Sequence, residues 1–413
     1  MLQSLQSKKI ESSVNCFMTK LYNTQSDITI SLSDFFKKVG HLRKTQLNIL
    51  PAIIFGMAIS ESCVTNDIVK VLKDDFNLVQ PTSTERRIRR FFNNKLFDNY
   101  SFFEDCIKDI ISRYTLSHDD KRVHIVMDHM YMRDKFTVFM ISMRIGKQSI
   151  PLWFRCFDGK NNPDAYKQSM IEDGINFVDN LFKDKDYDLI FLGDRWFNST
   201  SLMTFINSKG HTYVFRLKEN YKCFVFDKKE GHKVWKNISD LFHYKYHATN
   251  YENIGFTKNN IETNIVIGPT KSTQLSNIDS NRDDFEPWIL VTNGDPKRAL
   301  KDYAYRFGAI EFLFKAEKSN GFFLEKTTTT NLKAFENMYT CVCFTYLWIS
   351  ILGIEYSKNS TCYKKLKIGA TKKYKSGIKR VMSIFKTGLF LLNKAFNSNI
   401  KIRLPFTFIL YDV

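Results

Sequence analysis

Hydrophobic positions change their rhythm twice along this chain. Up to about residue 118 they recur at helical spacing. Residues 42–60 are rich in apolar side chains, and "VTNDIVKVL" follows a polar turn with Thr65 or Asn66 expected as N-cap. "PTSTERRIRRFFNN" then opens with Pro and hydroxyl residues, which predicts a helix from Ser83 or Thr84. From residue 121 the rhythm shortens. "RVHIVMD" reads as a strand ending in Asp128. "KFTVFMISMRIG" and "SIPLWFRCFD" read as a hairpin turning at Gly146, Lys147 and Gln148. "DAYKQSMIEDGINFVDNLF" is helical in period; a strand over 188–194, a helix from Asn198 and the strand "TYVFRLK" follow. Residues 219–286 are polar, short-stranded and rich in Asn, Lys and Thr. "WILVTNGD" returns to a buried strand, and a helix from about Lys297 should stop at Ser319, Asn320 and Gly321.

The order β, β, β, α, β, α, β is that of an α/β fold of the ribonuclease-H-like kind, a mixed sheet flanked by helices. It predicts a helical N-terminal domain (1–118), a core in two parts (119–218 and 287–413) and a β-rich insertion (219–286). In that fold the first and fourth strands are neighbours. Asp128 and Asp194 should therefore reach the same edge of one sheet.

Charge sharpens the picture. Against 43 acids stand 61 Lys and Arg, a net +18, and residues 356–411 hold thirteen basic residues and no acid. That balance favours a polyanionic partner. Arg86, Arg87, Arg89 and Arg90 cover a broad arc of one predicted helix, preceded by helix and turn, which suits a DNA-reading unit as well as a bundle with a basic face. The eight cysteines include no CxxC, only a CxC at 341 and 343, and read as reduced thiols of the cytoplasm. The opening "MLQSLQSKKIESS" has no apolar core of a secretory leader. Residues 338–354 are apolar, but at the short limit of about 17–25 residues for a membrane span; a buried core helix is expected, and no membrane partner.

Phosphodiester cleavage needs a nucleophile, a stabilised leaving oxygen and neutralised charge, and two divalent ions about 3.5–4 Å apart supply all three. Hard cations such as Mg²⁺ take carboxylate oxygens. Asp128, Asp194 and Glu311 offer them from two strand ends and a helix, with Asp134, Asp158 and Glu317 as rivals. On these residues the chain resembles the DDE transposases of bacterial insertion sequences, in the family-four group marked by a Tyr, Arg, Glu, Lys motif. The resemblance runs from Arg122 to the apolar helix after Lys318. "GDRWF" matches the stretch around the second Asp, and Tyr303, Arg306, Glu311 and Lys318 fill the motif.

The resemblance implies cut-and-paste transposition with Asp128, Asp194 and Glu311 as catalytic metal ligands, two Mg²⁺ ions with Mn²⁺ as a substitute, and DNA ends and target as partners of a homodimer. It implies a bacterial, nucleoid-associated enzyme, with Tyr303, Arg306, Lys318 and Arg195 on phosphates and Trp235 and Trp196 as base-stacking residues. A nuclease or resolvase of the same fold, and a non-catalytic transposase-derived DNA-binding protein, are the other readings. One departure matters. Four residues, not the family's three, separate Arg306 from Glu311. On a regular helix the extra residue turns Glu311 by roughly 100°. If Arg306 keeps its place, the backbone must break near Gly308.

Overall fold

The computed structural model describes residues 21–22, 25–40, 42–72, 81–116, 120–227, 229–241, 247–256, 261–269, 287–358, 371–374, 377–380, 382–398, 402–403 and 410–411. Much of the basic run 356–411 lies outside them. The fold is mixed α/β.

Among the described residues the N-terminal part contributes α1 (Gln25–Val39), α2 (Leu50–Ser60), α3 (Thr65–Val71), α4 (Pro81–Phe92) and α5 (Asn99–Ser112). Val64, not Thr65 or Asn66, occupies the cap position of α3; the hydroxyl of Ser62 accepts from the Val64 amide instead. The helix expected from Ser83 or Thr84 is already formed at Pro81.

The sheet begins with three long strands, β1 (Arg122–Met132), β2 (Phe136–Ile145) and β3 (Gln148–Asp158). After α6 (Gln168–Phe182) come β4 (Asp188–Gly193), α7 (Thr200–Ser208) and β5 (Thr212–Arg216). Ser199 caps α7 by accepting from the Leu202 amide, so Asp194 is released from that task. Then follow β6 (Lys222–Asp227), β7 (His232–Asn237), β8 (Thr249–Phe256), β9 (Ile261–Ile267) and β10 (Ile289–Thr292). These ten strands form one sheet in the order β3-β2-β1-β4-β5-β10-β9-β8-β6-β7. β1, β4 and β5 are parallel neighbours, and the other pairings are antiparallel. The strands between residues 219 and 286 extend this sheet through β10.

β1 does not end at Asp128. Its antiparallel pairing with β2 continues to Met132, opposite Phe136, while its parallel pairing with β4 stops at Val126, opposite Leu192. Asp128 therefore sits where β1 loses one neighbour and keeps the other. The hairpin turns at Gly146 and Lys147 as expected, and β2 is buried along nearly its whole length.

α8 (Pro296–Ala304) and α9 (Ile310–Lys315) follow β10, then a π-helical turn (Ala316–Asn320), α10 (Leu332–Lys358) and α11 (Ile384–Ser398). α10 is the core of the helical half. Leu332–Ser357 is long and apolar enough to cross a membrane, yet its apolar stretch is wholly buried, against α2, α4, α5, β3 and α11. Each large apolar side chain so buried contributes roughly 1.5–3 kcal/mol. α10 and α11 cross in close contact. A Cβ on Gly353 would lie 2.0 Å from the Ile384 carbonyl oxygen, and one on Gly388 would lie 1.9 Å from that of Ile349. Cys63, Cys106, Cys156, Cys223, Cys341 and Cys343 are buried thiols.

Candidate functional site

The parallel register of β1 and β4 sets the site. Val126 lies opposite Leu192. Two residues further on, one side-chain period, Asp128 and Asp194 leave the end of the shared ladder together. One oxygen of each is held by the local backbone: Asp128 Oδ1 accepts from the His129 amide, and Asp194 Oδ1 from the Trp196 amide, both at 2.9 Å. The other oxygens turn to Arg306. Its Nη2 lies 2.8 Å from Asp128 Oδ2 and 3.8 Å from Asp194 Oδ2.

Burial makes these charges matter. It pushes the Asp128 carboxyl up to about 6; Arg306 pulls it back, while Asp194 and Glu311 push it further up. Burial opposes the charge of Arg306, but Asp128, Tyr303 and Asp194 outweigh it and hold the guanidinium above its ordinary value. Arg306 is 8% exposed, and the pair it forms is screened little by solvent.

α8 packs against β9, β10 and β5, and the chain just past its end delivers Arg306 to β1. Asp295 caps the helix by accepting from the Lys297 amide. Asp302, four residues before Arg306, is buried between the Arg122 guanidinium and His124 Nε2, the latter 3.0 Å from its Oδ1. The Tyr305 carbonyl accepts from Arg144. Arg122, His124 and Asp128 lie on the same face of β1, so one strand face fixes both Asp302 and Arg306.

The helix breaks between Arg306 and Glu311, at the place expected if Arg306 faces the acids. Residues 305–309 form turns, Gly308 has φ +76°, and the helix restarts at Ile310. Such a φ is open to glycine at little steric penalty. Glu311 stands in the first turn of α9, exposed, with its Oε2 3.4 Å from the Gly308 amide. It acts on Asp128 and Arg306 through charge, and its carboxylate is held on its own helix start.

The other sequence-selected residues divide. Tyr303 is 1% exposed and packs edge-on against Trp288 and Phe307; burial pushes its hydroxyl up to about 12. Arg195 is half-buried beside Asp194. Lys318 is half-buried in the π turn, which removes the regular helix on which it would share a face with Glu311. Its neighbour Glu317 points into the core. The rival Asp134 pairs with Lys160 at 3.0 Å in the β1–β2 turn, and Asp158 ends β3 exposed.

Trp196 is 68% exposed, with its ring 5.3 Å from that of Tyr166. Tyr166 leans on His129 at 4.3 Å, and His129 stacks on Phe197. His129 Nε2 is 2.9 Å from the Ala165 carbonyl oxygen, and burial holds its ring below the ordinary histidine value. Sequence reading selected Trp196 but missed Tyr166, His129 and Phe197, which complete this aromatic shelf beside the acids. Trp235 is 47% exposed on β7, packed on Phe224. Six strand spacings, about 29 Å, separate β7 from β4. Within one chain Trp235 is not brought to the acids.

Arg86, Arg87, Arg89 and Arg90 lie along α4, whose Ile88, Phe91 and Phe92 are buried; Glu85 pairs with Arg89 at 2.8 Å. A cleft of about 510 Å³ on one side holds Arg89, Lys326 and residues 327–330. Another of about 360 Å³ holds Arg87 and Arg90 with Gln46 and Asn48.

Among the described residues no three His, Cys, Asp or Glu side chains are grouped closely enough to hold a metal ion. The Oδ2 atoms of Asp128 and Asp194 both face Arg306, and their hard-donor chemistry suits a divalent cation completed by water and a third carboxylate. Arg306 supplies the positive charge at that point, so a cation taken up there requires Arg306 to move aside and Glu311 to turn inward. Neither a protein-family model nor a curated protein matches the chain.

Proposed function

We propose that the chain is a DDE-type transposase built on a ribonuclease-H-like core. The observation that carries this is the convergence of Asp128 and Asp194 at the end of the β1–β4 ladder, with Arg306 of the Tyr–Arg–Glu–Lys segment closing on both. The strand order β3-β2-β1-β4-β5, antiparallel then parallel, supports the core assignment. The basic helix α4 and the net charge of +18 support DNA as partner.

Asp128 and Asp194 would hold Mg²⁺, with Glu311 as the third ligand. When bound, the metal supplies charge neutralisation at the phosphate and a more acidic water. The chain's own residues do the rest. Arg306, displaced from the acids, has a planar fork that matches two oxygens of one phosphate. Asp302 keeps its helix on β1 while it does so. In the hydrolytic step water oxygen bonds to phosphorus as the bond to the leaving 3′ oxygen breaks, and that oxygen takes up a proton. The freed 3′ hydroxyl then attacks a target phosphodiester in the same way.

A second reading is a DNA-binding protein without catalysis. It is favoured by Arg306, whose guanidinium already satisfies the paired acids. Incubation of the protein with Mg²⁺ and DNA carrying its element ends separates the two. Cleavage that is lost in Asp194→Ala while end binding persists supports the enzyme. Undiminished cleavage by that variant would sink the three-acid site, and binding without cleavage by the unaltered chain would favour the second reading.

A further inference from the structure

At the other end of β1, about 20 Å from Asp128 by six residues of strand, lies a second polar pocket. Its volume is about 170 Å³, below the 300–1,000 Å³ or so that drug-sized ligands occupy. Four basic side chains line it from three elements: Arg122 of β1, Arg144 of β2, and Arg298 and Lys301 of α8. His124 joins them. Against these stand two acids. Asp120 binds Arg298 at 2.9 Å, and Asp302 binds Arg122 and His124. Arg144 donates to the carbonyls of Gly146 and Tyr305 and lies 4.4 Å from the centre of the Tyr305 ring.

Two observations point to an anion as its ligand. Among the described residues the four basic side chains outnumber Asp120 and the nearby Asp302 by two, and like charges brought together from separate elements repel unless something neutralises them. In addition Arg122 Nε is buried with no hydrogen-bond acceptor among the described residues. A buried, unsatisfied charged donor is unfavourable, by more than the ~1–3 kcal/mol of a neutral one. Lys301 is exposed at the mouth and forms no ion pair among the described residues. A tetrahedral oxyanion accepts from several donors at once and matches the fork of an arginine.

We propose that this pocket binds a single phosphate group, either a backbone phosphodiester of DNA or free phosphate. It stands apart from the acids and does not depend on their proposed chemistry. The test uses the full chain, titrated with inorganic phosphate by calorimetry and, separately, with a duplex oligonucleotide at several salt concentrations. Lys301→Glu and Arg298→Gln alter exposed side chains; Lys222→Glu, on β6, is the control. Both variants should weaken phosphate binding tenfold or more, and the control should not. If they also weaken duplex binding and lower its salt slope by about one, the source is the DNA backbone. If duplex binding is unchanged while phosphate binding is lost, the source is free phosphate. Phosphate and duplex titrations that are both indistinguishable between the unaltered chain and the two variants overturn the proposal.

Discussion

Replacing Glu317 by Gln should stabilise the protein at alkaline pH and change little near pH 5. Glu317 is fully buried in the π turn between α9 and α10. Tyr339 donates its hydroxyl to Oε2 at 2.9 Å, and the Cys343 thiol lies 3.6 Å from Oε1. Burial raises the carboxyl from 4.5 to about 8, with Tyr339, Cys343 and Lys318 pulling it back. The folded value lies above the unfolded one. Between them the folded chain keeps a proton that the unfolded chain has released, so stability is full below about pH 4.5 and falls as pH rises toward 8. A span of about 3.5 pH units at about 1.36 kcal/mol each amounts to roughly 5 kcal/mol, of which about 4 kcal/mol is lost between pH 5 and 9. For 413 residues the unfolding entropy is about 0.9 kcal/mol/K. The unaltered chain should therefore lose about 4–5 °C of melting temperature across that range relative to Glu317→Gln. Melting curves of both proteins at half-unit pH steps measure the difference. A gap that stays flat, or widens toward acid, would refute the assignment of a buried, protonated carboxyl.

Removing the cation beside Asp128 should raise that carboxyl further. At an effective dielectric of about 20 and a charge separation of about 4 Å the pair is worth roughly 4 kcal/mol, so Arg306→Gln should move the midpoint up by about three pH units. A carboxyl ¹³C titration that finds the midpoint at or below 6 contradicts the pairing. Gly353→Ala and Gly388→Ala each drive a methyl into a facing backbone carbonyl and should destabilise by about 1–3 kcal/mol or more, read as a lowered denaturation midpoint; an unchanged midpoint would mean the crossing is looser than described. Neutral substitutions at Arg86, Arg87, Arg89 and Arg90 together should weaken DNA binding and reduce its salt slope by up to about four. An unchanged slope would make α4 an ordinary bundle face.

Much of the site was legible because its signals are local. Apolar runs ending in Asp128 and Asp194, and a hairpin with glycine at its turn, need only period and turn chemistry. The break near Gly308 followed from counting residues on a helix. Partnership across long distances was not legible. Asp128 marks the loss of a neighbour rather than a strand end, and only the sheet shows which neighbour leaves. Arg122 and His124 alternate with apolar residues on β1, a readable pattern, but their shared partner Asp302 lies far along the chain. Tyr303 and Glu317 carry polar groups into the core, and nothing in their neighbours' sequence announces it. The strands over 222–267 are short and polar, and it is β10 that joins them to the sheet.

The turn at Gly308 makes the chain's tolerance of insertions unequal on its two sides. Between Asp302 and Arg306 one added residue would swing the guanidinium off Asp128, because both side chains are anchored to the same strand face. Between Arg306 and Glu311 the left-handed glycine takes up the change, and the two helices keep their own orientations. Segment length in this part of the protein is thus free to drift on the Glu311 side only. The spacing from Asp302 to Arg306, by contrast, is fixed by the strand it grips.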